Sequence, residues 1–285
     1  MSFSQRLPFE ALEPERIREL LSPLSLDRLF RLTVLDTTDS SNSALQRLPL
    51  EQQHAHVILA ESQTHGKGRR QRSWYSPPGC NVYLSLGWRF ADSELPLSTL
   101  PLVAAICTCR ALARTGLQGH GIKWPNDILV NGAKLAGILV ELQTNAGGPA
   151  HAVIGVGVNV SMPKSRAAGQ QADAAIDHKW TDLASHLPRD SGGVSRNSVA
   201  AVLLEELLAG VLEYQAAGFS AFSSEWMALD LLADQAIRVQ HQETSSAGIA
   251  RGISEDGGLL LEVLNADGRV EKRIMRAGEV SVHHG

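Results

Sequence analysis

The segment from Gln63 to Ser76 reads QTHGKGRRQRSWYS, and it constrains this chain more than any other stretch. Gly66 and Gly68 alternate there with four cations, which are Lys67, Arg69, Arg70 and Arg72. Glycine lets backbone amides approach a ligand closely and adopt positive φ. Successive amides and fixed cationic side chains together form a cradle for phosphate or carboxylate oxygens. The segment therefore predicts a loop that binds an anion.

The same loop has a simpler interpretation as a solvated, charged turn without function, which is what many charge runs are. The alternation of glycine with cations favours anion binding over that interpretation. Two common nucleotide-binding loops do not fit the segment. A Walker loop needs Gly-Lys-Ser/Thr after four spacer residues, and Gln71 occupies the place of the third glycine in the dinucleotide-binding fingerprint.

Two further runs follow the loop. Lys123–Asp127 reads KWPND and precedes KLAGILVE at Lys134–Glu141, and Ile154–Val160 reads IGVGVNV. Residues 126 and 127 are also common turn formers after a proline, and the glycines of the last run are equally consistent with close packing. Lys134 at the start of a strand needs a partner or a ligand, although a surface lysine is an equal alternative. Together with the loop, the runs indicate an enzyme that handles an anionic, nucleotide-like ligand.

Composition sets the frame for this interpretation. The chain has 285 residues, 44% of them apolar, a net charge of −4 and a pI near 6.2. This size fits one large domain with a small appendix, and the charge argues against a dominant nucleic-acid surface. The sequence has no uncharged apolar stretch of about 18 residues and no signal-peptide pattern, so we expect a cytoplasmic protein without a membrane span. Three cysteines fit a reducing compartment, and Cys107 and Cys109 are expected to be core thiols rather than metal ligands.

Hydrophobic periodicity and turn residues predict the elements. Helices are expected over 13–21, from the capping cluster at 38–42 onwards, and over 97–115, 181–187, 197–215 and 218–229. Strands are expected over 56–61, 81–88, 119–123, 127–130, 134–143 and 151–160, and four short ones over 237–239, 247–253, 259–263 and 270–275. The polar segment 162–179 predicts a surface loop. These elements indicate a short N-terminal helix and linker over 1–33, a catalytic domain over 34–232 and a small β-barrel or meander over 233–285.

Taken in order, the motifs resemble those of the biotin protein ligases over residues 36–281. Asp39–Asn42 resembles that family's D-S-T-N segment, and Gln63–Trp74 resembles its biotin-binding loop. The three other motifs of the family occur at Lys123–Asp127, Lys134–Leu139 and Gly155–Asn159. Later landmarks occur at Phe222, Trp226, Asp230 and Gly278–Ser281. Each motif alone is weak, whereas the ordered set is specific.

The resemblance implies an α+β fold, with a mixed-sheet catalytic domain that carries helices on one face and a small C-terminal β-barrel. It implies an ATP-dependent ligase that activates biotin as biotinyl-5′-AMP and transfers it to a lysine of the carrier protein of acetyl-CoA carboxylase. ATP, biotin and Mg²⁺ are the implied ligands, and a homodimer is an open alternative to a monomer. DNA binding is not expected, because only about 35 residues precede the catalytic motifs, too few for a winged helix. Rival interpretations are a lipoate or octanoate ligase or transferase of the same fold, a truncated ligase/repressor, and a non-catalytic biotin-binding protein.

The resemblance also implies roles for individual residues. The catalytic residues are Lys134, Arg69 and Asp127. Asp127 is the one implied metal ligand, with support of the loop as its alternative role. The biotin-binding residues are Ser40, Ser41, Gln63, Gly66, Lys67, Ser85, Lys134, Gly137 and Leu139. The ATP-binding residues are Arg69, Arg70, Arg72, Asn126, Asn159 and Trp180. Lys67, Gln71 and His283 depart from the family pattern, and the basic loop and segment 162–179 are expected to act as lids over the adenylate.

Overall fold

A computed structural model describes residues 10–91, 95–144, 148–163, 179–188, 194–241, 243–265 and 267–282. Its larger sheet has seven strands in the order β1-β2-β3-β7-β6-β5-β4. Only β1 and β2 are parallel, and each other neighbouring pair is antiparallel. The strands are β1 (Arg31–Thr38), β2 (His56–Gln63), β3 (Val82–Phe90), β4 (His120–Lys123), β5 (Asp127–Val130), β6 (Ala133–Thr144) and β7 (Ala150–Val158). The mixed sheet is therefore as expected, and strand β1 was not anticipated in the sequence.

Strand β3 lies in the interior of the sheet, between β2 and β7, and is buried on both faces. Its apolar residues, which alternate in the sequence, belong to the main core. On the opposite face, Ser85 bonds to residues at the start of helix α3 (Ser41–Gln46), and a Cβ at Gly87 would lie 2.1 Å from the Gln53 carbonyl oxygen. The alternation thus predicted the strand correctly. It did not predict that the second face is also buried, because that face packs against residues from distant parts of the chain.

The long helices cover one face of the sheet, as expected. They are α4 (Leu100–Arg114) and α5 (Arg196–Ala217), with α6 (Ser223–Leu229) beside them. Helix α4 packs so closely on α5 that a Cβ at Gly210 would lie 2.1 Å from Cys107 Sγ. Cys107 and Cys109 are buried and free, and burial raises the pKa of Cys107 to about 12. The expectation of core thiols is confirmed.

One helical segment among the described residues, Leu97–Arg114, is long and apolar enough by composition to cross a membrane. Within it, 67% of the most apolar window is buried inside the protein. It corresponds to α4 and the turn before it, which fill the main core. A buried core helix passes this test as readily as a membrane span does.

The N-terminal segment is anchored on the larger sheet. Arg196, at the start of α5, is only 3% exposed and donates to the backbone oxygens of Asn81 and Glu10 and to the Glu61 carboxylate. Glu61 accepts in turn from the backbone N–H of Leu12. Helices α1 (Pro14–Glu19) and α2 (Pro23–Arg28) follow and contact α5, and only the first of them was anticipated.

The C-terminal residues form a second, antiparallel sheet in the order β11-β10-β9-β8-β12. Its strands are β8 (Ala236–His241), β9 (Thr244–Ile253), β10 (Leu259–Leu264), β11 (Val270–Met275) and β12 (Glu279–Val282). The end strands β11 and β12 are not paired with each other in the described part of the sheet, so the expected barrel is instead an open sheet. The short strand β12 was missed because four residues carry little periodic signal.

The helix expected over 181–187 is wrong. Only a single 3₁₀ turn forms there, at Leu183–Ser185. The Asp182 carboxylate accepts from the backbone N–H groups of Ser185 and Met162, at 2.9 Å each. The capping side chain therefore ties this turn to the end of the sheet instead of starting a longer helix. The expected loop over 162–179 falls mostly outside the described residues.

Candidate functional site

The basic loop folds as a short hairpin at the edge of the site. The N–H of Gly68 donates to the Arg72 oxygen at 2.7 Å, and the N–H of Trp74 donates to the Gly66 oxygen at 2.7 Å. At the tip, Arg70 and Gln71 have φ values of 54° and 61°. This left-handed conformation is disfavoured for residues other than glycine, so Gln71 holds strained backbone where the family motif has glycine.

Trp74 closes the hairpin and lies on the glycines of β6 and β7. A Cβ added to Gly137 or Gly157 would lie 2.8 or 2.7 Å from the indole ring. The buried indole Nε1 has no hydrogen-bond partner among the described residues. Lys134 Nζ lies 5.1 Å from the ring centroid, within the range of a cation–π contact. Both glycines are therefore required by the close approach of the ring, and Trp74 was not assigned to the site from the sequence.

Lys134 occupies the centre of the site. Its Nζ lies 2.7 Å from Asp127 Oδ1, which answers the question of its partner raised by the sequence. Its backbone N–H donates to the Lys179 oxygen at 2.8 Å, and its oxygen accepts from the Thr181 N–H at 2.9 Å. Strand β6 and the segment 179–181 thus hold the lysine backbone, and Trp180 is brought beside it.

Arg69 and Asn126 meet next to this ion pair. Arg69 Nη1 donates to Asn126 Oδ1 at 3.3 Å, and Asn126 Nδ2 donates to the Ile138 oxygen at 2.7 Å. Burial lowers the pKa of Arg69, with a further contribution from Arg70. Burial also lowers the pKa of Lys123, against the opposing effect of Asp127. The site therefore concentrates partly desolvated cations, and Lys123 is a member that the sequence interpretation did not assign.

A cleft of about 610 Å³, here called the nucleotide cleft, lies between the hairpin, the β4–β5 turn and strand β12. Every residue that the sequence assigned to ATP binding lines it, together with Lys134 and Asp127. Those ATP-assigned residues are Arg69, Arg70, Arg72, Asn126, Asn159 and Trp180. The C-terminal sheet contributes Glu279, which forms an ion pair with Arg72 across the cleft. Glu279 was not assigned from the sequence either.

A second, narrow cavity of about 60 Å³, here called the slot, continues from the cleft towards α3. Most of the residues assigned to biotin line it, namely Ser40, Ser41, Gln63, Lys67, Lys134, Gly137 and Leu139. Ser85 lies behind the lining and donates to Ser41 Oγ at 2.8 Å. Gly66 also lies outside the lining, in the turn where a Cβ would come within 2.4 Å of the Trp74 oxygen.

Asn42 organises the closed end of the slot, although its role was not assigned from the sequence. Its Oδ1 is 2.6 Å from Ser85 Oγ, and its Nδ2 donates to Glu141 Oε2 at 2.8 Å. A Cβ at Gly155 would lie 2.3 Å from Asn42 Oδ1, so this glycine makes room for the amide. The D-S-S-N segment and the glycine run were visible in the sequence, but their contact across more than a hundred residues was not.

Two carboxylates among the described residues of the nucleotide cleft bear on the metal assignment. Within the described ranges, no three His, Cys, Asp or Glu side chains form a group that could hold a metal ion. Asp127 contributes one carboxylate to the nucleotide cleft, and Glu279 is another. His283 and residues 164–178 lie outside the described ranges, so their assigned roles stay predictions.

Comparison with known proteins agrees with this arrangement. Residues 34–159 match the biotin/lipoate A/B protein ligase family. The chain is 34% identical over 232 residues to the bifunctional ligase/repressor BirA of Escherichia coli, which covers 81% of this chain and 69% of the relative. It is 32% identical to the biotin–[acetyl-CoA-carboxylase] ligase of Mycobacterium tuberculosis, with 73% of each chain covered. The biotin protein ligase from Aquifex aeolicus in complex with biotin and ATP has the same fold, with a TM-score of 0.71, 24% identity, and coverage of 90% of this chain and 100% of that one.

The chain therefore belongs to the biotin protein ligases within the biotin/lipoate A/B protein ligase family. The resemblance found in the motifs and the expected mixed α+β fold are both confirmed. The roles of individual residues and the domain limits are not tested by this result and stay predictions.

Proposed function

We propose that this protein activates biotin as biotinyl-5′-AMP with ATP and transfers the biotinyl group to a lysine of the acetyl-CoA carboxylase carrier protein. The observation that carries the proposal is the position of Lys134. It lines both the nucleotide cleft and the slot, where a carboxylate from one cavity would meet a phosphate from the other. Relatives named biotin–[acetyl-CoA-carboxylase] ligases support the choice of biotin and of the carrier protein.

In the first half-reaction, a carboxylate oxygen of biotin attacks the α-phosphorus of ATP. The bond from that phosphorus to the bridging oxygen breaks, and pyrophosphate leaves with the electron pair. Lys134 and Arg69 stabilise the negative charge that develops on the phosphoryl oxygens, which is the main catalytic contribution expected for phosphoryl transfer. Arg70 and Arg72 hold the departing phosphates by charge, and Asn126, Asn159 and Trp180 orient the nucleotide.

In the second half-reaction, the lysine amine of the carrier attacks the acyl carbon of the adenylate. The bond from the acyl carbon to the phosphate oxygen breaks, AMP leaves with the electron pair, and the amine releases its proton to solvent. The protein supplies no covalent nucleophile in this scheme. Its task is to position the reacting groups and to exclude water from an anhydride that water would hydrolyse.

The residues of the cleft also fit a magnesium ion that arrives with ATP. Mg²⁺ in nucleotide sites is typically held by one or two carboxylates together with substrate phosphates. Asp127 would supply such a carboxylate once phosphates draw Lys134 away from it. The ion would neutralise phosphate charge there, in addition to the charge that Lys134 and Arg69 supply.

The slot suits biotin better than a lipoyl chain. Biotin has an apolar ring system with one ureido group, which needs a few well-placed polar partners at the end of an apolar pocket. Ser41, Gln63 and Asn42 offer such partners at the closed end of the slot, and Ser85 behind them bonds to Ser41 and Asn42. The volume of about 60 Å³ leaves room only after Trp74 moves, so we expect the hairpin to open for biotin and to close over it.

ATP–pyrophosphate exchange with purified protein tests the proposal, with biotin, lipoate or no acid as the second substrate. Exchange that depends on biotin establishes the adenylation half-reaction. Exchange with lipoate alone moves the protein to the lipoate branch of the family. Folded protein that shows no exchange with either acid in the presence of Mg²⁺ contradicts the proposal.

A further inference from the structure

A third cavity adjoins the site and has no role in the scheme so far. It has a volume of about 200 Å³ and lies between the start of α4, strand β6 and the β9–β10 turn of the C-terminal sheet. Pro101 and Leu102, Val140, and Gly257 form its walls. We call it the side passage. Trp124 Nε1 donates to the Gly257 oxygen at 3.0 Å, which fixes the turn of the C-terminal sheet against the catalytic domain.

The inner end of the side passage lies where the other two cavities join. Arg69 and Asn126 line the nucleotide cleft, the slot and the side passage alike. Their hydrogen bond of 3.3 Å therefore forms the partition between the three spaces. In the proposed reaction, biotin fills the slot and the nucleotide fills the cleft, so the acyl carbon of the adenylate lies at this junction. The side passage reaches the junction from a third direction.

The walls and the inner end of the side passage suit a lysine side chain. Four methylenes need an apolar channel, which Pro101, Leu102 and Val140 provide. The volume exceeds several-fold the roughly 30 Å³ that one water molecule occupies in the liquid, so five heavy atoms fit. At the inner end, the positive charge of Arg69 disfavours a charged ammonium and favours the neutral amine, which is the nucleophilic form.

The outer end of the side passage is polar. Ser98 is exposed, and its hydroxyl donates to the backbone oxygen of Asp256 at 3.0 Å. The side-chain carboxylate of Asp256 pairs with Arg276 at 2.8 Å. Arg276 is 71% exposed, so this pair can exchange partners with charged groups of another protein at little energetic cost. The mouth therefore presents one exposed cation and one carboxylate around an apolar channel.

We propose that the side passage admits the acceptor lysine of the carrier protein to the adenylate, an inference that rests on the proposed ligase function. The carrier docks over Ser98 and the Asp256–Arg276 pair, and its lysine reaches the acyl carbon past Arg69 and Asn126. The β9–β10 turn of the C-terminal sheet thereby forms one side of the acceptor entrance.

Ser98→Trp tests this proposal because it narrows the mouth at an exposed position. We expect the transfer of biotin from preformed adenylate to a purified carrier domain to slow at least about ten-fold, since displaced reactants lose rate steeply. Biotin-dependent pyrophosphate exchange is expected to keep its rate. Discharge of the adenylate by hydroxylamine, which is small enough to pass, is also expected to keep its rate. Val140→Phe narrows the passage further inside and should give the same pattern.

Ser220→Trp is the matched control, because Ser220 is also an exposed serine in a 3₁₀ turn whose hydroxyl donates to a backbone oxygen. It should leave all three rates unchanged. Unchanged transfer in both passage variants overturns the proposal, and so does an equal loss of exchange, transfer and hydroxylamine discharge. Absence of biotin-dependent exchange in the unmodified protein instead contradicts the ligase function itself, so the two failures are distinguishable.

Discussion

The slot and the nucleotide cleft adjoin each other but are built from different interactions. In the slot, neutral polar groups satisfy one another: Gln63 Oε1 accepts from the Ser41 N–H at 2.9 Å, and Ser85 lies 2.6 Å from Asn42 Oδ1. In the cleft, charges pair across elements, as Lys134 does with Asp127 and Arg72 does with Glu279. The polar network at the closed end of the slot is thus formed before a ligand arrives, although Trp74 must still move to admit biotin, whereas the cleft holds cations whose present partners a phosphate can replace.

This difference implies that the two regions respond differently to substitution. Removing a group from a preformed hydrogen-bond network leaves a buried partner unsatisfied and weakens binding. Removing a charge that acts on a developing oxyanion lowers the rate of the chemical step instead. Substitutions in the slot should therefore change affinity for biotin, and substitutions in the cleft should change turnover or affinity for ATP.

The largest effect is expected for Lys134→Ala. The rate of adenylate formation should fall about 10²- to 10³-fold, because a cation aimed at the developing charge is lost. The biotin dissociation constant should stay within about three-fold, because the slot network is intact. Single-turnover adenylation and biotin titration measure the two quantities, with Lys272→Ala on strand β11 as control. Equal losses in rate and in biotin affinity would show that Lys134 only binds.

Ser85→Ala is expected to have the next largest effect. Asn42 Oδ1 and Ser41 Oγ each lose a buried partner, and a buried unsatisfied group costs about 1–3 kcal/mol. The biotin dissociation constant should rise about ten-fold, while the Michaelis constant for ATP should not change. Ser220→Ala is the matched control at an exposed position. A change of similar size in the Michaelis constant for ATP would show that the slot and the cleft do not respond independently to substitution.

Glu279→Gln should have a smaller effect and act only in the cleft. It removes the ion pair between Glu279 and Arg72, so the Michaelis constant for ATP should fall about two- to three-fold. The gain is modest because both side chains are partly exposed and the pair is screened. Raising the salt concentration should remove the difference. Glu271→Gln is the control: it breaks the exposed pair with Arg273 and should leave ATP kinetics unchanged. A rise in the Michaelis constant for ATP in Glu279→Gln would contradict the idea that Glu279 competes with ATP phosphate for Arg72.

The smallest effect concerns stability at the N-terminal end of strand β2, away from both cavities. Burial lowers the pKa of His56 below its usual value near 6.5, and its ring bonds to Thr33 and to the Gln52 oxygen. The folded protein therefore favours the neutral ring. The contribution of His56 to the free energy of unfolding is complete above its pKa in the unfolded chain, and it is lost as the pH falls through its lower pKa in the folded protein. Lowering the pH from about 7.5 to 5.5 should therefore reduce the free energy of unfolding through this group, because the unfolded chain takes up a proton that the folded ring resists. Denaturant unfolding at both pH values measures it, and His56→Gln should show a smaller pH dependence.

Local patterns predicted the parts of the fold that depend on neighbouring residues. Strands β2 to β7 and helix α5 follow from periodicity, whereas strand β1 does not, and the glycine–cation alternation located the hairpin. The expected helix over 181–187 failed because the Asp182 side chain bonds to Met162 of a distant segment. A local sequence window contains no information about that partner.

The same reason explains which site residues escaped prediction. Asn42, Trp74 and Glu279 act through contacts with residues far along the chain, such as Glu141, Gly157 and Arg72. Their motifs were recognised, but pairing them requires the register of the sheet. Lys123 was visible in the K-W-P-N-D run, and only its burial beside Asp127 distinguishes it from an ordinary surface lysine.

The buried Arg196 links the beginning of the chain to the wall of the slot. It joins the backbone at Glu10 to Glu61, and Glu61 precedes Gln63 by two residues on β2. A shortened chain that begins after Leu12 would leave a buried guanidinium and a buried carboxylate without two of their backbone partners. Such a truncation should lower the affinity for biotin as well as the melting temperature. Shortened versions of this protein should therefore retain the residues from Glu10 onwards.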